Sequence, residues 1–289
     1  MNKLCGSKTR ALILAIAFVG IGCGDDDGDS SDFDSTFPTG PGRLYEVKDV
    51  SFAAVDGVEV GASFGLPPGP ASEELPVVIL IHDIGRNRFD WLLSGIFESF
   101  LERGYLPLAI DLRGHGDTLL PDDGRDNPFL SLEDLDDFHF DVRAALTWLR
   151  NQQAADISRV AVVGAGVGGN VAYVSIGAFP DDLRAGVAVS PGLWNTLLQP
   201  LVTGVGVDPF APHHMLYMVA SNDVLPVSQT EALSFAAYAT ELASSTADPK
   251  QVAIFEGQDG HGINLLLGET EVNQEAVEVL LKWLDDHLK

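Results

Sequence analysis

The stretch RVAVVGAGVGGN, residues 159–170, decides the fold. Its first half, Val160-Ala-Val-Val163, is apolar at every position and therefore on both faces of an extended chain. Strands of that kind sit inside a parallel sheet with helices on either side. Its second half places glycines at 164, 166, 168 and 169, which is the composition of a tight turn leading from strand to helix.

The same alternation extends in both directions. Residues 76–82, 106–111, 185–190, 215–220 and 251–255 are short apolar runs that predict further strands. Amphipathic stretches near 88–103, 131–151, 168–179, 227–243 and 271–288 predict helices between them. Residues 43–64 read as a β-hairpin, because two alternating runs flank Asp56-Gly57, a strong turn signal. The expectation is one α/β domain over 43–289, with a mostly parallel eight-stranded sheet, an antiparallel start and flanking helices. The segment between Ser190 and Met215 is too short for a large cap domain.

In such folds chemistry gathers in the loops at the C-terminal ends of the strands. The polar residues of interest fall there: His82-Asp83-Ile84-Gly85, Asp111-Leu-Arg-Gly-His-Gly116, Ala220-Ser-Asn-Asp223 and Gly257-Gln-Asp-Gly-His261-Gly262. With the glycine turn at 164–168, these five motifs in this order resemble an α/β-hydrolase, most closely the dienelactone-hydrolase-like and esterase branch. The resemblance covers roughly residues 43–289.

In that family the turn after the central strand reads Gly-x-Ser-x-Gly and lifts a nucleophilic serine into the cleft. Here it reads Gly164-Ala165-Gly166-Val167-Gly168, so the serine is replaced by Gly166. The resemblance implies Asp223 and His261 as the acid and base that would have served it, in the family's chain order. It also implies an oxyanion site at Asp83 and Val167. Asp83 stands out, because a carboxylate there opposes the negative charge that acyl transfer must stabilise. An ordinary turn-forming Asp, its side chain turned toward Arg86 or Arg88, explains the residue equally well.

Other side chains offer less. Ser190 and Ser221 end neighbouring strands, but nothing in the sequence sets either against His261, and Asn170 is a poor nucleophile. Gly164-x-Gly166-x-x-Gly169 also fits a dinucleotide-binding turn. That reading is set aside, because the strand is central rather than first and the later Asp and His have no part in it. His82 and His115 read as loop-holding groups. His213 and His214 open a strand, where successive side chains point to opposite faces, so a shared metal is not expected. Glu133, Asp134, Asp136 and Asp137 read as charges favouring a helix start. Trp91, Trp148 and Trp283 are expected in the core, and Trp194 is a candidate for lining the cleft. No cofactor and no metal is expected.

Charge and the N-terminus supply the setting. The 289 residues hold 17 basic and 42 acidic side chains, a net charge of −25, which disfavours nucleic acid as a partner. Residues 1–22 open with a basic segment over 1–10 that carries Lys3, Lys8, Arg10 and no acid, followed by an apolar run over 11–21. As a helix that run would rise about 16 Å, too short for a hydrocarbon core of about 30 Å, so it reads as a signal peptide. Val19-Gly-Ile-Gly-Cys23 resembles a bacterial lipoprotein box, which implies a lipidated Cys23. Residues 23–42 then read as an acidic tether; its aspartates lack the spacing of a calcium loop.

The expectation for function is a lipid-anchored, extracytoplasmic α/β-hydrolase homologue that is non-catalytic as a serine hydrolase. It would bind an ester-like small molecule or a protein partner. The alternative is an active hydrolase in which His261 and Asp223 serve water or another nucleophile.

Overall fold

Among the described residues, ten strands and six complete α-helices follow from where the chain alternates between fully buried apolar runs and one-sided ones. They are seen in a computed structural model that describes residues 45–68, 73–120, 130, 135–192, 210–226, 228 and 231–289. All of these lie in one structural unit, Ser35–Lys289. The signal peptide, Cys23, the tether, Glu133, Asp134 and Trp194 fall outside the described residues.

The chain opens with β1 (Glu46–Ala53) and β2 (Glu59–Leu66), an antiparallel hairpin turning at Asp56-Gly57. Six strands then join the main sheet: β3 (Leu75–Ile81), β4 (Leu106–Ile110), β5 (Ala155–Ala165), β6 (Ala185–Val189), β7 (His213–Ala220) and β10 (Ala247–Phe255). The spatial order is β1-β2-β4-β3-β5-β6-β7-β10, and every pairing from β4 onward is parallel. A separate hairpin, β8 (Val224–Pro226) and β9 (Ala232–Ser234), follows Asp223 and is too short to show in the sequence pattern.

Both faces of the sheet are buried, and β3 shows why its run is apolar throughout. Val77, Ile79 and Ile81 enter one core, while Val78 and Leu80 enter the other. The first core is closed by α3 (Phe138–Leu149), α4 (Val167–Ala178) and α5 (Phe235–Ser244). The second is closed by α1 (Phe89–Leu92), α2 (Ile96–Glu102) and α6 (Glu271–Leu288). Trp91 and Trp283 are buried in the second core, and Trp148 packs against the first.

Three helix expectations are corrected. The stretch 88–103 is split into α1 and α2 at Ser94-Gly95, where the Ser94 hydroxyl accepts from the Ile96 N–H and starts the second helix. The helix expected over 227–243 begins only at Phe235, because residues 232–234 form β9. Of the helix expected from residue 131, residues 131–134 lie outside the described residues, Leu135 and Asp136 are helical, and α3 follows from Phe138 after a turn at Asp137, whose carboxylate lies 3.8 Å from Arg113.

Candidate active site

Strand β5 ends in the turn on which the site is built. Gly166 adopts φ 57°, ψ −122°, and α4 begins at the next residue. Its N–H donates to Val189 O at 2.9 Å, and its carbonyl accepts from Gly169 N–H at 2.9 Å. The flanking glycines are required by close approach. A Cβ on Gly164 would run into the Gly168 carbonyl, and one on Gly168 would lie 2.5 Å from the carbonyls of Ile81 and His82. The backbone therefore keeps the sharp strand-to-helix turn that carries a nucleophile elsewhere, although no side chain stands on it.

The space above Gly166 is filled from another loop. Asp83, just after β3, points its carboxylate into the elbow, and a Cβ added at Gly166 would fall inside that carboxylate. Oδ1 of Asp83 accepts from the Val167 N–H at 2.8 Å and from the Ile84 N–H at 2.7 Å. Oδ2 lies 3.5 Å from Nε2 of His261. This corrects the reading in which Asp83 turns toward the arginines. Arg86 pairs with Asp90, and Arg88 pairs with Asp111 and Asp117. Backbone amides and an imidazole hold the Asp83 carboxylate instead.

The loop carrying Asp83 is held by His82. The Leu112 N–H donates to His82 Nε2 at 3.0 Å, so Nδ1 carries the proton and donates to the Asp83 carbonyl at 2.7 Å. Burial drives the His82 pKa down to about 4, which keeps the ring in that neutral form. His115 does the same one layer out, accepting from Gly85 N–H and donating to Arg113 O, each at 3.0 Å. Both histidines hold loops, as expected.

His261 stands between two carboxylates. Its Nδ1 is 3.0 Å from each oxygen of Asp223, and its Nε2 faces Asp83. Two acceptors facing two ring nitrogens call for a proton on each. Burial of the ring works against protonation, but the hydrogen bonds and charges of Asp223 and Asp83 outweigh it and lift the pKa to about 9. His261 is thus an imidazolium at neutral pH and has no free lone pair with which to act as a base. The ring is held by Phe235, whose centroid lies 4.4 Å away, and by its own loop, where Gly262 N–H donates to Ser190 Oγ at 2.9 Å.

The structure brings together Gly166, Val167, Asp83, Asp223 and His261. The side chain of Asp223 is buried at 4% exposure, while Asp83 and His261 retain 24% and 33%, so the solvent side of the site lies over that pair. Ser190 is fully buried in a left-handed conformation (φ 52°) and supports the His261 loop. Ser221 Oγ accepts from Gly257 N–H. Asn170 clamps Gly192 through both of its amide atoms. The Ile84 amide was missed, because a backbone donor leaves no mark in side-chain composition.

One further expectation fails. His213 and His214 do not diverge; their Nδ1 atoms lie 2.8 Å apart. His214 has φ 48°, and this left-handed residue breaks the alternation of side chains at the start of β7. Burial lowers the pKa of both rings, which leaves them neutral partners in one hydrogen bond.

A sequence profile of the Alpha/beta hydrolase family matches residues 78–271. Among solved structures, a dienelactone hydrolase from Anabaena variabilis is 18% identical with a TM-score of 0.60, over 85% of this chain and 99% of that one. A Pyrococcus furiosus esterase is 17% identical with a TM-score of 0.61, over 85% of this chain and 94% of that one. The alpha/beta hydrolase GrgF from Penicillium is 17% identical with a TM-score of 0.60, over 84% and 99% respectively. Identities this low show a shared fold. No curated protein matches the sequence.

Proposed function

The chain belongs to the Alpha/beta hydrolase family, and from that premise we propose that it is a member without serine acyl-transfer activity, working as a ligand- or partner-binding protein of the bacterial envelope. One observation carries this reading: the carboxylate of Asp83 fills the place of the missing serine side chain above Gly166. It also takes the Val167 and Ile84 N–H groups that an acyl oxyanion would need. The base is compromised as well, because Asp223 and the same Asp83 carboxylate together keep His261 protonated. The proposed tether at Cys23 rests on the lipoprotein-like sequence. Among the described residues no helix is long and apolar enough to cross a membrane.

In the purified full-length protein, p-nitrophenyl acetate hydrolysis is expected to stay at the rate of buffer alone, and a fluorophosphonate probe to leave every serine unlabelled. Ester turnover that is abolished by His261→Ala, or a labelled serine, contradicts the reading.

A second reading, hydrolysis in which His261 and Asp223 serve another nucleophile, is favoured by one feature. The group in the serine's place is itself a carboxylate, a recognised covalent nucleophile.

A further inference from the structure

We propose that His213 and His214 form a bidentate site for a divalent copper ion at the N-terminal end of β7, bound through their two Nδ1 atoms. The inference goes beyond the reading of Gly166, Asp83 and His261, which lie at the opposite end of the strands.

Successive side chains of a strand point to opposite faces, and that alternation is what speaks against a metal shared by neighbouring histidines. It does not hold here. The left-handed backbone of His214 (φ 48°) turns its ring back onto that of His213, with the ring planes at 89° and the Nδ1 atoms 2.8 Å apart. Nitrogens at that spacing, each about 2.0–2.1 Å from one ion, subtend an angle of about 90° at it. This is the cis angle of a square-planar or tetragonal site, the geometry of Cu(II). A tetrahedral ion such as zinc needs its nitrogens about 3.3 Å apart. Copper also stands highest among the divalent first-row ions in affinity for a given set of ligands.

The chain has seven histidines, and the other five offer no such pair. The rings of His82 and His115 lie 5.0 Å apart, but both nitrogens of each are bonded to backbone groups. His261 has its two nitrogens facing carboxylates. His139 and His287 each turn Nδ1 to a backbone carbonyl, that of Asp136 and that of Trp283.

A contact behind the pair favours the same role. The ring of His213 is bonded to the backbone of Pro180. Proline has no N–H, so the ring donates to the carbonyl, and with Nδ1 committed to His214 the donor is Nε2. Such an outer contact fixes the tautomer of a metal-bound imidazole and leaves the lone pair on its other nitrogen. The proton between the two rings therefore belongs to Nδ1 of His214. When the ion binds, that proton leaves through water and a proton is taken up on Nε2, so the ring stays neutral and no net proton is released. The ion lies beside the line joining the nitrogens, and each half-buried ring tilts toward it.

Among the described residues no group of three or more His, Cys, Asp or Glu side chains is placed to hold a metal, so the remaining positions around the ion go to water. Arg184 opposes positive charge at His214. The net charge of −25 works the other way and draws dications to the molecule.

The test is titration of the purified full-length protein, its two cysteines alkylated, with copper(II) chloride at neutral pH. Binding is followed by calorimetry and by electron paramagnetic resonance. One ion per chain is expected, with a tetragonal spectrum split by two nitrogens. His213→Gln and His214→Gln are each expected to weaken binding at least about 100-fold, the upper end of what an outer-shell partner is worth. Their circular dichroism and melting curves without copper are expected to match the parent's. His261→Gln is expected to keep the parent's affinity. The inference is overturned by a parent that binds no stoichiometric copper, by binding that survives both substitutions, or by binding that His261→Gln abolishes. A parent spectrum split by one nitrogen or none overturns it without recourse to any variant.

Discussion

Exchanging Asp83 and Gly166 together, as Asp83→Gly with Gly166→Ser, is expected to create p-nitrophenyl acetate hydrolysis, whereas each single substitution leaves it at background. The reason is that the two positions compete for one volume. A Cβ at position 166 falls inside the Asp83 carboxylate, so serine alone has no seat. Glycine alone at 83 empties the seat and supplies no nucleophile. Only the pair restores a hydroxyl on the turn, frees the Val167 and Ile84 amides, and takes one of the two carboxylates off His261 so that it can act as a base. Losing a triad nucleophile costs about 10⁶-fold in kcat elsewhere. A triad re-formed without refinement should regain at least about 10³-fold over either single variant. Full activity from Gly166→Ser alone would show that Asp83 does not hold the space.

Gly164→Ala is expected to be the most damaging single methyl among the described glycines. The added Cβ meets the carbonyl of Gly168 in the first turn of α4, backbone against backbone, with no flexible side chain able to give way. Strand β5 lies at the centre of the sheet between β3 and β6, and α4 packs directly on it, so neither partner can retreat without opening the first core. A loss above about 4 kcal/mol is the expected class of effect for such a clash, read by urea denaturation or as failure to accumulate soluble protein. A loss below about 1 kcal/mol would mean that the elbow relaxes freely.

The fold was legible because it follows from burial. A strand with apolar residues at every position can only lie between two layers, and β3 divides its residues between two cores as that pattern requires. The partnership of Asp223 and His261 was legible too, since both sit at strand ends in a known order and meet at 3.0 Å. The role of Asp83 was not. Its direction depends on backbone amides of residues 84 and 167, which every sequence supplies at those positions, and on a volume left free by a glycine more than eighty residues away. The departure at His214 was hidden for a similar reason. A left-handed backbone at a non-glycine residue is set by its surroundings, and no composition signal announces it.

The presence of a carboxylate in the serine's place is tested most directly by the titration of His261, followed by NMR of its ring protons in the parent protein and in Asp83→Asn. A negative neighbour favours the protonated ring, so removing one must lower the pKa. The parent is expected to remain imidazolium through neutral pH and to titrate near 9. The variant is expected to titrate lower, toward the free imidazole value of about 6.5. A parent that titrates near 6.5 and does not respond to the substitution would contradict the account, because Asp83 would then lie away from His261.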